Sequence, residues 1–180
     1  MEDLRRLFAA LGFSGVETFL ASGNVVFETS AAAAGALETR IEKRLRQVLR
    51  FDVETFVRTD RELARIAAGA PFPRAKLETA AEINVIFLKD RLDAETARRV
   101  SGLRTGTDEF RACGREIFWL RRKKAAGLYS TVALDKTLGR PYTVRAAKTI
   151  QKMVPICVPT RDSAGGPKRR PEGRAGRRGF

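Results

Sequence analysis

An α+β fold, built twice over, is what the sequence predicts. Three observations lead there. The stretch FLASGNVVF (19–27) is echoed by FRACGREIF (110–118), with Phe, Ala, Gly and Phe at matching places. Helical and strand periodicities then follow one another in the same order in both halves. Beyond residue 159 the composition shifts to Gly, Pro and Arg, with seven basic residues against two acidic over 160–180. That segment has too little apolar surface to offset the entropy of ordering, so a disordered basic tail is expected.

Residues 2–12 read as a helix, because Leu4, Leu7, Phe8 and Leu11 recur on one face and Gly12 follows as a cap. Residues 16–21 and 25–29 are strand-like around Ser22-Gly23-Asn24. Ser30 is placed to cap a helix over 31–49. Its apolar face is Leu37, Ile41, Leu45, Val48 and Leu49; Arg40, Lys43, Arg44, Arg46 and Arg50 lie outside. Residues 53–58 predict a strand, and Thr59 or Asp60 caps a short helix ending before Pro71.

The run INVIFLK (83–89) is apolar enough to predict a buried strand. A helix over 93–103 follows, then strands 108–113 and 116–121 around Gly114-Arg115. A helix over 130–139 stops at Gly139-Arg140-Pro141, residues 142–146 extend, and a last helix over 147–154 ends before Pro155.

Each half thus reads helix, strand, turn, strand, helix, strand, at an offset of 91 residues between Phe19 and Phe110. Ile83–Lys89 precedes the second set and makes it βαββαβ, a ferredoxin-like unit. The same offset puts the matching strand of the first unit before Met1, so the first unit is expected to lack its N-terminal strand. A late start codon or a natural truncation would both produce this. The expected domains are residues 1–58 (the incomplete first unit), 59–158 (a connecting helix and the second unit) and 159–180 (the tail).

Composition limits the chemistry. Thirty-five Lys plus Arg against 21 Asp plus Glu give a formal charge of +14. Nucleic acid or another polyanion is the class of partner such a charge favours; arginine spread over solvated faces is the plainer reading. The chain has no histidine and two cysteines, Cys113 and Cys157. Disulfide frameworks, Cys/His zinc sites and His-dependent nucleophilic catalysis are therefore excluded. No metal, cofactor or catalytic residue is expected. No apolar stretch approaches about 18 residues, so no membrane span is expected, and the start MEDLRRLFAALGF is too charged for a signal peptide. A cytoplasmic protein is expected.

Taken in order, LRRLFAALGF, SGNVVF, VRTDRELARIAAGAPFP (57–73), DEFRACGREIFWL (108–120) and LDKTLGRPYTVRAAKTIQKM (134–153) resemble the bacterial family called domain of unknown function 1697. The resemblance spans residues 1–154. It implies a pair of ferredoxin-like units and no established activity. It also implies a strand and glycine turn of the type LLRGINVGG ahead of Met1. The family pattern T-x-R-N-x-x-T-x-x-K is met by Thr143, Arg145, Thr149 and Lys152, with Ala146 in place of Asn.

Three groups are candidate sites. Ser22-Gly23-Asn24 offers backbone N–H groups and an amide, but its counterpart Cys113-Gly114-Arg115 keeps only the glycine. Gly23, Asn24 and Gly114 are therefore read as turn residues. Thr143, Arg145, Thr149 and Lys152 lie across a strand-to-helix junction, where a phosphate-bearing ligand or nucleotide would bind. Capping with solvated charges is the competing reading. Arg121, Arg122, Lys123 and Lys124 follow the strand that carries Trp119 and form a candidate nucleic-acid surface, or else a solvated loop.

Overall fold

A computed structural model describes residues 2–19, 23–30, 33–122, 128–157 and 177–179. The chain runs α1 (Glu2–Ala10), β1 (Ser14–Phe19), β2 (Asn24–Glu28), α2 (Ala34–Leu49), β3 (Arg58–Thr59), α3 (Asp60–Ala68), α4 (Arg74–Glu78), β4 (Glu82–Phe87), α5 (Ala94–Gly102), β5 (Asp108–Cys113), β6 (Glu116–Arg121), α6 (Leu128–Leu138), β7 (Thr143–Ala146), α7 (Ala147–Cys157) and β8 (Arg177–Gly179). It is a mixed helix and sheet protein in two antiparallel sheets. Met1–Ile66 with Gln151–Phe180 make one unit, and Ala67–Ile150 the other. The division differs from the boundaries expected at 58 and 158, because the C-terminal segment returns to the first unit.

In the first unit the strand order is β1-β2-β8-β3. Val25 and Phe27 of β2 point to a core shared with Leu7 and Phe8 of α1 and Leu37, Ile41 and Leu45 of α2. Phe13 stacks on Phe27 at 4.4 Å between centroids, and Phe8 lies 5.5 Å from Phe27. Such aromatic contacts add to burial when rings sit about 4.5–7 Å apart. The alternation of β2 sends Val26 to the other face, where it is also fully buried.

Four expectations change here. Val48 and Leu49, placed on the apolar face of α2, are exposed, because the core ends at Leu45 and the last turn runs past it. The N-cap of α2 is Ala33, without a side-chain bond, in place of Ser30. The strand expected over 53–58 shrinks to Arg58–Thr59. The amides of Thr55 and Val57 donate instead to Glu42 Oε1 (2.8 Å) and Glu38 Oε1 (2.7 Å) of α2. The tail, expected to be disordered throughout, forms β8 at Arg177–Gly179; residues 158–176 lie outside the described residues. Arg-Arg-Gly carries no strand periodicity, and its neighbours β2 and β3 supply the pairing.

In the second unit the order is β5-β6-β4-β7. β5 and β6 match the expected ranges to the residue. Ile86, Leu88, Phe110, Ile117 and Trp119 share one core with Val100 of α5 and with Leu134 and Leu138 of α6. Asp93 caps α5 by accepting from the Thr96 amide at 2.8 Å. Val85, Phe87, Phe118 and Leu120 alternate onto the opposite face and are buried as well. The short helix α4 starts directly after Pro71 and Pro73, with Pro73 as its N-cap, where the sequence reads only as a break. α7 continues through Pro155 to Cys157. Gln151, whose carbonyl loses its i+4 donor there, is exposed to water.

Candidate functional site

Both turn glycines adopt left-handed backbone, with φ of 75° at Gly23 and 68° at Gly114. An L side chain is strained there, which accounts for glycine at both places. Asn24 is buried, and its Nδ2 donates to the Phe19 carbonyl at 3.2 Å across the turn. Its amide is thus committed to the hairpin. Ser22 lies outside the described residues.

Arg121 and Arg122 are brought to a cluster of carboxylates. Asp108 is buried and accepts from Trp119 Nε1 at 2.8 Å and Thr107 Oγ1 at 2.9 Å. Arg121 Nε stands 3.5 Å from Asp108, its Nη1 stands 3.5 Å from Glu82, and its guanidinium lies 4.7 Å over the Trp119 ring. Arg122 Nη2 reaches Glu109 at 3.5 Å. Lys76 Nζ meets the same carboxylate at 2.7 Å, and Arg111 at 3.5 Å. The bond from Lys76 holds the Glu109 carboxyl below its ordinary pKa against the opposing cost of burial. Four cations here face three carboxylates, so much of their charge is already matched. Lys123 and Lys124 lie outside the described residues.

At the β7–α7 junction Arg145 and Thr143 come together. Arg145 Nη1 donates to Thr143 Oγ1 at 2.7 Å and to the Val144 carbonyl at 2.9 Å. Partial burial pulls the Arg145 pKa down. Thr149 is half-buried in the first turn of α7. Lys152 is exposed and lies beyond Ile150, where the second unit ends.

A third location escaped the sequence reading. At the end of α2, Phe51 is 60% exposed, Val48 51% and Leu49 41%. Arg50 closes the helix in left-handed backbone (φ 66°), its amide bonded to the Arg46 carbonyl at 3.0 Å. Lys43, Arg46 and Arg50 are exposed and Arg44 is half-buried in the last turns that lead to this apolar tip. Arg46 pairs with Asp52 at 3.2 Å, and Arg44 Nη1 donates to Gln47 at 3.4 Å. The signal was present in LRFD (49–52), an aromatic just past the last helical turn, but the apolar period drew Val48 and Leu49 inward.

No group of three His, Cys, Asp or Glu side chains is placed to hold a metal among the described residues. Among the same residues no helix is long and apolar enough to cross a membrane.

The chain is similar to a conserved bacterial protein, SP0830 from Streptococcus pneumoniae, at 24% identity. The match covers 87% of each chain with a TM-score of 0.64, a likeness of fold. No curated protein matches. A family model described as "Protein of unknown function (DUF1697)" matches residues 1–118, a shorter span than the 1–154 of the sequence resemblance. The chain therefore belongs to the DUF1697 family, whose description carries no activity.

Proposed function

We propose that this is a non-catalytic, cytoplasmic polyanion-binding protein made of two related ferredoxin-like units, with single-stranded nucleic acid as its ligand. The shared ancestry of the units is supported by strand orders that superpose, β1-β2-β8-β3 on β5-β6-β4-β7, and by the two left-handed turn glycines. The observation that carries the binding reading is Phe51, an aromatic 60% exposed just past a helix end rich in Lys43, Arg44, Arg46 and Arg50. Cations that track a phosphate backbone beside an exposed ring are the combination single strands require. The sheet aromatics do not offer it: Phe87, Phe110, Phe118 and Trp119 are all buried.

Anisotropy of a labelled single-stranded oligonucleotide, read at several salt concentrations, tests the proposal. Phe51→Ala should weaken binding by about 1–3 kcal/mol, the range for one stacked base. Replacing Arg44 by Ala should flatten the slope of log K against log salt by about 0.7. A control replaces the tail residues Arg161, Lys168, Arg169 and Arg170 by Ser and leaves β8 intact. Binding that disappears in that control, or that is absent at low salt in the unaltered chain, removes the α2 assignment.

A second reading keeps a phosphate or nucleotide pocket at Thr143, Arg145 and Thr149, as part of a ligand-binding protein or an enzyme. It is supported by the Arg145–Thr143 bond at a strand-to-helix junction. A thermal-shift screen of phosphorylated metabolites separates the two. Hits that persist in Arg145→Ala would count against the pocket.

A further inference from the structure

β4 lies between β6 and β7 in the second sheet and pairs antiparallel with both. The equivalent position in the first sheet, between β2 and β3, is held by β8 from the opposite end of the chain. β8 is also antiparallel to both neighbours: Phe27 and Thr59 both register with Arg178, and Val26 and Arg58 with Gly179. We propose that β8 is a donor strand. In this view, the slot between β2 and β3 is a strand-binding site that takes the chain's own C-terminal segment.

Three observations support it. First, β2 is buried on both faces, with Val25, Val26 and Phe27 all at 0% exposure. Buried backbone N–H and C=O groups require partners, so an edge cannot be left bare at that depth. Second, pairing with β3 ends where β8 ends. N-terminal to Arg58, the Val57 and Thr55 amides are met by Glu38 and Glu42 of α2. The helix carboxylates take over beyond the last described pair, Arg58 with Gly179. Third, β8 reads Arg-Arg-Gly, with no apolar residue to seat it. Its hold is main-chain pairing, in a register that sets Arg177 opposite Glu28. Strand addition to a sheet edge works in this way, with backbone bonds giving affinity.

The resulting site is selective in direction and length. β4 meets β6 over six register pairs, whereas β8 meets β2 over three. A strand held by so few pairs is expected to exchange, and a peptide of the same sequence should enter the slot in its place.

Hydrogen exchange on the full chain and on a chain ending at Gly173 tests this. On shortening, amides of β2 and β3 should exchange at least tenfold faster while those of β4 and β6 stay protected. Adding a peptide of residues 173–180 should restore protection. If the shortened chain fails to fold, Arg178→Pro and Arg178→Ala in the full chain decide. In a strand with neighbours on both sides every N–H faces a partner, so proline removes a ladder bond and alanine does not. Pro should reproduce the loss and Ala should not. Unchanged β2 protection in both the shortened chain and Arg178→Pro overturns the proposal. Equal loss in Pro and Ala overturns the backbone origin. A dimer whose β2 protection falls on dilution assigns the slot to a second copy's segment and overturns the intrachain one.

Discussion

β4 and β8 stand at the same position in their sheets, each between two antiparallel neighbours. β4 is Glu-Ile-Asn-Val-Ile-Phe, with Val85 and Ile86 fully buried. β8 is Arg-Arg-Gly. The second sheet is therefore closed by apolar burial from within the unit. The first is closed by backbone pairing, supplemented by two helix carboxylates that meet the Thr55 and Val57 amides. The same sheet position is filled through two balances of force. Side-chain substitutions should tell them apart.

The largest difference is expected between Ile86→Ala and Arg178→Ala. Truncating Ile86 removes a fully buried side chain from the second core, at a cost of about 2–5 kcal/mol. Arg178→Ala keeps every main-chain bond and should lie within about 0.5 kcal/mol of the unaltered chain. Urea unfolding followed by circular dichroism measures both. A large loss in Arg178→Ala would mean that side chains, too, hold β8.

Next come two buried carboxylates, Asp108 of the second unit and Glu38 of the first. Asp108 serves side chains: the indole N–H of Trp119, Thr105, Thr107 and Arg121. Asp108→Ala takes this acceptor from the buried Trp119 indole N–H and one carboxylate from the half-buried Arg121, and should cost about 3 kcal/mol. Glu38 serves the backbone of Val57, and Glu38→Ala should cost roughly 1–3 kcal/mol. Glu42, half-buried on the same helix row, bonds the Thr55 amide and hydroxyl, and its loss should cost about 1 kcal/mol. Equal costs for Asp108 and Glu42 would erase the contrast between a buried side-chain network and a backbone tether.

How much of this was legible in the sequence follows the same division. Where apolar alternation carries the element, as in Asp108–Cys113 and Glu116–Arg121, the sequence reading and the structure agree to the residue. Where pairing or a remote carboxylate carries it, they part. The period of 53–58 suggested a strand, but its amides turn to α2. Nothing in RRG marks a strand, because its partners are about 120 to 150 residues away in the chain. The candidate sites divide likewise. Gly23 and Gly114 were readable from turn chemistry. The carboxylates around Arg121 and Arg122 are assembled by strand register, and no local pattern announces them. Phe51 stays exposed because the α2 core positions end at Leu45, well over a turn before it.

The Glu109 cluster adds a pH dependence confined to the second unit. The Lys76 bond lowers the Glu109 pKa in the folded state. A carboxylate with a depressed folded pKa contributes stability above its unfolded value, about 4.3, and loses it as pH falls through the folded value. Acid unfolding of Lys76→Ala should therefore show a shallower loss below about pH 4 than the unaltered chain. An identical acid profile would show that the ion pair adds nothing in water.

The smallest expected effect concerns the link between second helix and following strand, which each unit builds differently. In the first unit Glu42 of α2 reaches the backbone and hydroxyl of Thr55. In the second, Asp135 of α6 accepts from the Tyr142 hydroxyl at 2.5 Å, just ahead of β7. Burial, and then this bond to a carboxylate, push the Tyr142 pKa up to about 12. The folded state thus favours the neutral phenol. The raised pKa contributes stability that is complete below the unfolded value near 10 and is lost as pH climbs through the folded value. Ultraviolet titration of the two tyrosines, Tyr129 and Tyr142, should resolve a late phenol that disappears in Tyr142→Phe. Asp135→Asn removes the charge but not the burial, so the late phenol should move down without reaching 10. If it reached 10, the carboxylate alone would set the shift. The second unit would then rest, at this junction, on the same helix-carboxylate tether as the first.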